Sequence, residues 1–305
     1  MPIVTDRHVP GVVLYEWLSG QPFLARALFE GATILDARID DTPEEVLTRI
    51  PRDTGWFLFH LNCTVTHNFP CDRQILCRLL EDKGIRLLNR FVTDISKRRV
   101  QDMCRQSGLN TTLTGPEGLG DELIIVKTNL NFAGKSEWGL TETERQALGV
   151  GAGSDMIWDP YHYQVIPRSK VEAGWWKDPS LVCERYISNA DERWYRAYVL
   201  KSRFVLCELV SPHQVKKVGE SKLQRLWMAS FRDELPVDHP SPGQVPQQML
   251  GDLAGFARTF KLDFGTIDVV ESNEGKYYII DVNSTPAYNN PVPGLVDYLR
   301  QGLPD

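Results

Sequence analysis

Residues 264–288, FGTIDVVESNEGKYYIIDVNSTPAY, are where the reading of the fold starts. Residues 265–270 are β-branched and apolar around one acid, Asp268, and residues 277–282 form a return strand around another, Asp281. Asn273-Glu274-Gly275-Lys276 between them has turn chemistry. Asn283 follows Asp281 by two positions, and Pro286 stops the strand. A carboxylate inside an apolar strand is unfavourable unless a positive group binds it. Two carboxylates and an amide on neighbouring strands are all oxygen donors and suit a hard cation such as Mg²⁺. The same residues also read as one strand-end acid in water and one salt-bridged acid. The stretch by itself leaves both readings open.

At 305 residues the chain can bury a large core and hold two or three lobes. Its net charge of −6 and pI near 5.6 argue against any general affinity for nucleic acid or an anionic membrane. No apolar run approaches the roughly 20 residues of a membrane span. The start, MPIVTDRHVPGVV, lacks the basic and apolar segments of a signal peptide. Six cysteines scattered through a chain of this size read as reduced thiols, so a cytoplasmic protein is expected.

Upstream, residues 1–88 alternate between short apolar strands (12–15, 33–37, 56–59, 85–88) and helices (18–29, from Thr42, and 71–83). That rhythm predicts a small, mostly parallel α/β lobe. Thr42-Pro43-Glu44-Glu45 is a helix start with a cap, a first-turn proline and acids near the positive end of the dipole. His60, Cys63, His67 and Cys71 invite a zinc reading, but there is no Cys-x2-Cys pair. A loop over the mouth of a cleft fits better, with His60, Asn62, Thr64, Thr66, His67 and Asn68 available to a substrate.

Lys97 sits in the first turn of a helix, where it opposes the dipole; such local conflicts often mark function. Residues 123–127 form a strand closed by Lys127, and TNLNFAGKSEWG follows with Lys135. A lysine before a flexible glycine loop is a plausible phosphate site, although the Walker A pattern is absent. Residues 149–153, GVGAG, read as a turn rather than a dinucleotide fingerprint, and residues 140–180 as a lid on which Trp175 and Trp176 pack. Strands are expected at 161–166 and 181–187, and an antiparallel pair at 194–200 and 204–210 with Arg196 inside it. Residues 211–240 carry many charges and prolines and show no clear period; Lys222 and Arg232 are guesses for an acidic substrate. An amphipathic helix at 243–260 leads into the opening stretch.

The order of these features resembles the ATP-grasp superfamily over most of residues 89–288. The resemblance implies an α+β fold in which two lobes clamp ATP, behind a small parallel α/β domain. It divides the chain into residues 1–88, a first lobe with its lid at 89–187, and a C-terminal lobe with the metal site at 188–305. Lys97 and Lys127 match the family's two phosphate lysines, with Lys135 in the lid loop. CERYI matches its hinge: Glu184, Arg185, Tyr186 and Ile187 would meet the adenine edge, and Asp191 or Glu192 the ribose. Arg196 falls where the family contacts phosphate or acyl-phosphate oxygens, so Arg196 and Lys127 are the catalytic candidates. Asp268, Asp281 and Asn283 match the ligands of one or two Mg²⁺ ions.

The implied activity is an ADP-forming ligase that activates a carboxylate as an acyl phosphate and joins it to an amine or similar nucleophile. Small-molecule substrates are implied, with no nucleic-acid or membrane partner, and a homodimer is compatible. One departure stands out. Most family ligases have Glu-x-Asn where this chain has Asp281-Val282-Asn283, and Asp-x-Asn occurs in the inositol-phosphate kinase branch. A kinase acting on a hydroxyl is therefore the alternative, and a nucleotide-binding regulatory protein a third.

Overall fold

The protein is described by a computed structural model covering residues 11–17, 21–150, 162–217, 219–231 and 247–303. Strands β1 (Gly11–Trp17), β2 (Thr33–Asp36), β3 (Thr54–Leu61) and β4 (Arg86–Leu88) form a parallel sheet in the order β2-β1-β3-β4. Parallel neighbours need crossovers, supplied here by α1 (Leu24–Leu28), α2 (Pro43–Thr48) and α3 (Arg73–Asp82). Thr42 and Glu45 close a reciprocal capping box on α2. Asp72 caps α3 by accepting from the Gln74 and Ile75 amides at 2.9 and 3.0 Å. Gly84, at φ 76°, turns the chain out of α3. The helix expected at 18–29 is confined to α1, and residues 18–20 lie outside the described residues.

Helix α4 (Lys97–Gln106) begins at Ser96, whose hydroxyl accepts from the Arg99 amide. Its apolar stripe, Val100, Met103 and Cys104, joins the core beneath the C-terminal sheet. Strands β5 (Leu123–Thr128), β6 (Gln164–Pro167) and β7 (Leu181–Arg185) form an antiparallel sheet in the order β6-β5-β7. Trp175 and Trp176 pack against it, as expected. After β5 the chain makes α5 (Lys135–Trp138) and α6 (Glu142–Leu148). Gly149 ends α6 at φ 64°, consistent with a turn. Residues 151–153 and the expected strand start at Tyr161 lie outside the described residues. Leu140 and Leu148 are buried in the core of the parallel lobe, so this segment is docked on it.

The C-terminal sheet contains β8 (Arg193–Leu200), β9 (Arg203–Val210), β10 (Lys222–Ser230), β11 (Phe264–Glu271) and β12 (Tyr277–Asn283), all antiparallel, in the order β10-β9-β8-β11-β12. Helix α7 (Gln247–Phe260) and α4 cover one face. Tyr198, Leu200, Val205, Cys207 and Phe264 on the other face share a core with Val12, Leu14, Trp56 and Leu58 of the parallel sheet and with α8 (Leu295–Arg300). Strand β10 occupies residues that show no period in the sequence. Residues 243–246 and Arg232 lie outside the described residues. All six cysteines are buried and unpaired. Among the described residues no helix is long and apolar enough to cross a membrane.

Candidate functional site

Strand register brings the two acids of the opening stretch face to face. Asp268 on β11 pairs with Asp281 on β12 on one side and with Arg196 on β8 on the other. Directly opposite residues share a face of the sheet, so the three side chains converge. Arg196 grips Asp268 in a planar fork, Nε to Oδ1 at 2.8 Å and Nη2 to Oδ2 at 3.0 Å. Burial opposes the Arg196 charge, and Asp268 more than offsets it, holding the guanidinium above its ordinary range. The Lys217 ammonium pairs with Asp281 Oδ2 and lies 3.9 Å from Asp268 Oδ2.

Both acids are therefore salt-bridged, and a buried cation stands between them. Asp281 Oδ1 is buried with no hydrogen-bond donor, an arrangement that leaves a carboxylate oxygen available to a hard cation. Asp268 has both oxygens on Arg196, and the Asn283 amide oxygen accepts from the Thr285 amide at 2.8 Å. Asp281 is thus the most available ligand of the three. Among the described residues no three His, Cys, Asp or Glu side chains gather as a metal centre.

Beside this face lies a narrow slot of about 50 Å³ between the three-stranded and five-stranded sheets. Ile125, Tyr186, Ile187, Val215, Val270 and Ile280 form its apolar walls. The loop after β9 closes it: Val215 packs on the three-stranded sheet, and the Tyr186 hydroxyl donates to Gln214 O at 2.7 Å. The slot is flat, apolar and edged by backbone, which suits a planar ring. Two backbone amides at its edge are already engaged, Arg185 with Thr112 O at 2.7 Å and Tyr186 with Leu123 O at 2.9 Å.

Lys127 and Glu184 are cross-strand neighbours of this slot and form a buried ion pair. The other Glu184 oxygen, Oε1, is buried without a donor. Lys97 is 1% exposed, donates to Leu130 O, and its ammonium lies 5.7 Å from the Tyr163 ring centre. Burial pushes Lys97 down to about 8, against the opposing pull of Glu184 and Glu137. Burial likewise pushes Lys217 down to about 7; Asp268 resists this, while Lys97, Lys127 and Arg196 add to it. Lys97, Lys127 and Arg196 thus all act on Lys217 across a single low-dielectric site. Clustering like charges in this way is unfavourable unless a polyanion is to be gathered.

The loop beside Lys97 is strained. Phe132, Ala133 and Gly134 are all left-handed, at φ 43°, 59° and 79°. Two non-glycine residues in that region are costly, and consecutive left-handed amides form an anion-binding concavity. The Asn131 amide donates to Thr64 Oγ1 at 2.8 Å, and the Thr64 amide donates to Glu137 Oε1 at 2.5 Å.

Several expected residues lie elsewhere. Lys135 is exposed and stands over the Phe132 ring instead of reaching the slot. Asp191 is exposed and paired with Arg193, and neither it nor Glu192 lines the slot, because Glu192 turns the chain at φ 56°. Lys222 is exposed at the start of β10. The loop at 60–68 is largely spent on contacts within the protein. His60 is fully buried beside Glu16, its Nδ1 3.2 Å from the carboxylate, and Asn68 donates to Leu148 O at 3.0 Å. Asn62 Oδ1 accepts from Thr285 Oγ1 at 3.0 Å, which places that residue next to the metal-face strand. Lys217 went unread in the sequence. A lysine in an aperiodic loop carries no signal until its carboxylate partners are known.

No family model matches the chain, and no curated protein matches it. Solved structures do. The ATP-grasp ligase PsnB complexed with a minimal precursor is 13% identical, with a TM-score of 0.52 over 97% of this chain and 100% of that one. The same ligase complexed with precursor peptide PsnA2 and AMPPNP is 12% identical, with a TM-score of 0.51 over 96% and 97%. The D-Ala:D-Ser ligase VanG from Enterococcus faecalis is also similar, at 12% identity and a TM-score of 0.41 over 82% and 73%. The parallel lobe, the two antiparallel sheets and the near-complete overlap with PsnB identify the architecture: this chain has the ATP-grasp fold.

Proposed function

We propose that the slot and the charged face beside it bind Mg-ATP, and that the protein is an ATP-dependent, ADP-forming ligase. The observation that carries this reading is the pairing of Lys217 and Arg196 with Asp268 and Asp281, with Lys97 and Lys127 near enough to act on Lys217, next to an apolar slot between two antiparallel sheets. The adenine ring would enter between Ile125, Tyr186 and Val270, Ile280. The Ile187 amide is the hinge donor in position to meet its edge, since the Arg185 and Tyr186 amides are taken. Lys97 and Lys127 would neutralise phosphate oxygens as point charges, and Arg196 would add a planar fork.

Asp281, with Asp268 and Asn283, would hold Mg²⁺, which supplies charge neutralisation at the transferring phosphoryl group. Lys217 would then leave the carboxylates and turn its ammonium to the phosphates. In the reaction a substrate carboxylate oxygen attacks the γ-phosphorus and ADP leaves. An amine or similar nucleophile then displaces phosphate from the acyl phosphate. Closure of the strained loop at Phe132–Gly134 would exclude water and suppress wasteful hydrolysis. PsnB was solved with precursor peptides, so peptide carboxylates belong in the substrate screen beside small acids.

A screen of pooled carboxylates, peptides, amines and polyols with ATP and Mg²⁺, read by ADP release, tests the proposal. Formation of AMP and pyrophosphate would contradict it. A phosphorylated product without free phosphate would favour a kinase, the reading that Asp281 in place of glutamate supports.

A further inference from the structure

A second charged feature shares no residue with the nucleotide slot. It is an open groove of about 1000 Å³ at the seam between the parallel lobe and the C-terminal sheet. Trp56 at the start of β3, Phe204 and Leu262 form its apolar floor, and Phe91, 62% exposed, stands at its rim. Five cations line it, Arg86, Arg90, Lys201, Arg258 and Lys261, against two carboxylates, Glu81 and Asp263. That balance is the reverse of the whole chain, which carries −6.

The carboxylates are already committed, Glu81 to Arg90 and Asp263 to Lys201 at 2.9 Å. Arg258 and Lys261 are exposed and have no ion-pair partner among the described residues. Two of these lysines also hold strained backbones. Lys201 sits at φ 53° in the β8–β9 turn and Lys261 at φ 61° after α7. Glycine or asparagine is the usual occupant of such positions, so the fold keeps a cation at both where its backbone favours another residue.

The floor is rigid. The buried Asn89 side chain accepts from the Asp263 and Phe264 amides at 3.1 and 3.0 Å and donates to Phe264 O at 2.8 Å, locking the two lobes together beneath the groove.

We infer that this groove is a docking site for an acidic polypeptide segment carrying an aromatic or aliphatic anchor. Charge complementarity selects the acid, and Phe91 with the Trp56 floor selects the anchor. A nucleic-acid strand fits less well. The two groove carboxylates oppose a phosphate row, and among the described residues Arg258 and Lys261 are the two groove cations without a partner. Peptide carboxylates spaced by apolar residues match two unpaired cations beside an exposed ring. The inference does not depend on the proposed reaction, because docking here needs neither ATP nor turnover.

The test is fluorescence anisotropy with a labelled 16-residue peptide of repeated Glu-Phe-Asp-Gly. The comparison probes are the Lys-Phe-Lys-Gly repeat and a 16-nucleotide oligothymidylate. The acidic peptide is expected to bind alone and to weaken with salt. Arg258→Glu with Lys261→Glu is expected to lower its affinity about tenfold. Lys261→Gly should weaken binding several-fold while the melting temperature holds or rises, because the backbone strain is relieved. Saturating Mg-ATP should not displace the peptide. Equal binding of the basic peptide, tighter binding of the oligonucleotide, displacement by Mg-ATP, or an unchanged affinity in the double variant would each overturn the assignment.

Discussion

The nucleotide slot and the seam groove use the same side-chain chemistry in opposite states. In the slot the lysines are buried or half-buried and spend their charge internally, Lys127 on Glu184, Lys217 on Asp281 and Lys216 on Ser211 O. In the groove the rim cations Arg258 and Lys261 are exposed and spend theirs on nothing within the described residues. The slot holds about 50 Å³ and the groove about 1000 Å³. Buried, mutually perturbed charges suit a small polyanion that brings its own cation and is released after reaction. Exposed, independent charges suit a flexible partner held by screened contacts. Burial decides which role a lysine can take.

The largest expected effect is at Asp281. Asp281→Asn should lower turnover by roughly 10²–10³-fold, read as ADP release under saturating ATP. Full activity in this variant would mean that the metal assignment is wrong. Next is Lys217→Ala. Without the ammonium, Asp281 is left buried with no cation of its own beside an Asp268 already held by Arg196, and the metal-free protein should lose about 3 kcal/mol of stability. Mg²⁺ should restore more melting temperature to this variant than it adds to the wild type. Equal Mg²⁺ effects on both proteins would break the contrast between the slot and the groove. The double charge reversal at Arg258 and Lys261 comes third, with about a tenfold loss of peptide affinity and unchanged ATP binding.

A smaller effect distinguishes the two regions by pH. Lys97 titrates near 8 because of burial, so it carries its charge below that pH and loses it above. The Lys97 contribution to ATP affinity should be flat below about pH 7 and fall above 8, by at most about tenfold per pH unit for one linked proton. The stability of the nucleotide-free protein runs the other way. An unfolded lysine titrates near ~10.4, so between the two values the unfolded chain binds more protons, and this group's contribution to stability rises with pH. Lys97→Met should remove the component near pH 8 from both dependences and leave the one that Lys217, pushed down to about 7, contributes, as followed by titration calorimetry and thermal melts. Peptide binding in the groove should show no step near pH 8.

Much of this was legible in the sequence because it rests on local regularities. Strands β1, β3, β11 and β12 are β-branched or aromatic runs bounded by turn residues, and α2 announces itself through Thr42, Pro43 and Glu45. Lys97, Lys127, Arg196, Asp268 and Asp281 lie on such elements, so their order could be matched to a known architecture. The misses are nonlocal. β10 begins with an exposed, charged half on an outer strand of the sheet, which hides its alternation. Lys217 acquires meaning only from acids on two distant strands. The resemblance puts Asp191 or Glu192 at the ribose, but the turn sends Asp191 to Arg193. The seam groove is assembled from six separated segments, and no window of sequence displays it.

The account stands most directly on the coupling of nucleotide and metal at Asp281. Calorimetric titration of ATP into the wild type and Asp281→Asn, each with and without Mg²⁺, measures that coupling. The account predicts that Mg²⁺ tightens ATP binding to the wild type about tenfold or more, and that the variant binds ATP without this enhancement. A wild type that does not bind ATP, or a variant with the same Mg²⁺ enhancement as the wild type, would contradict it.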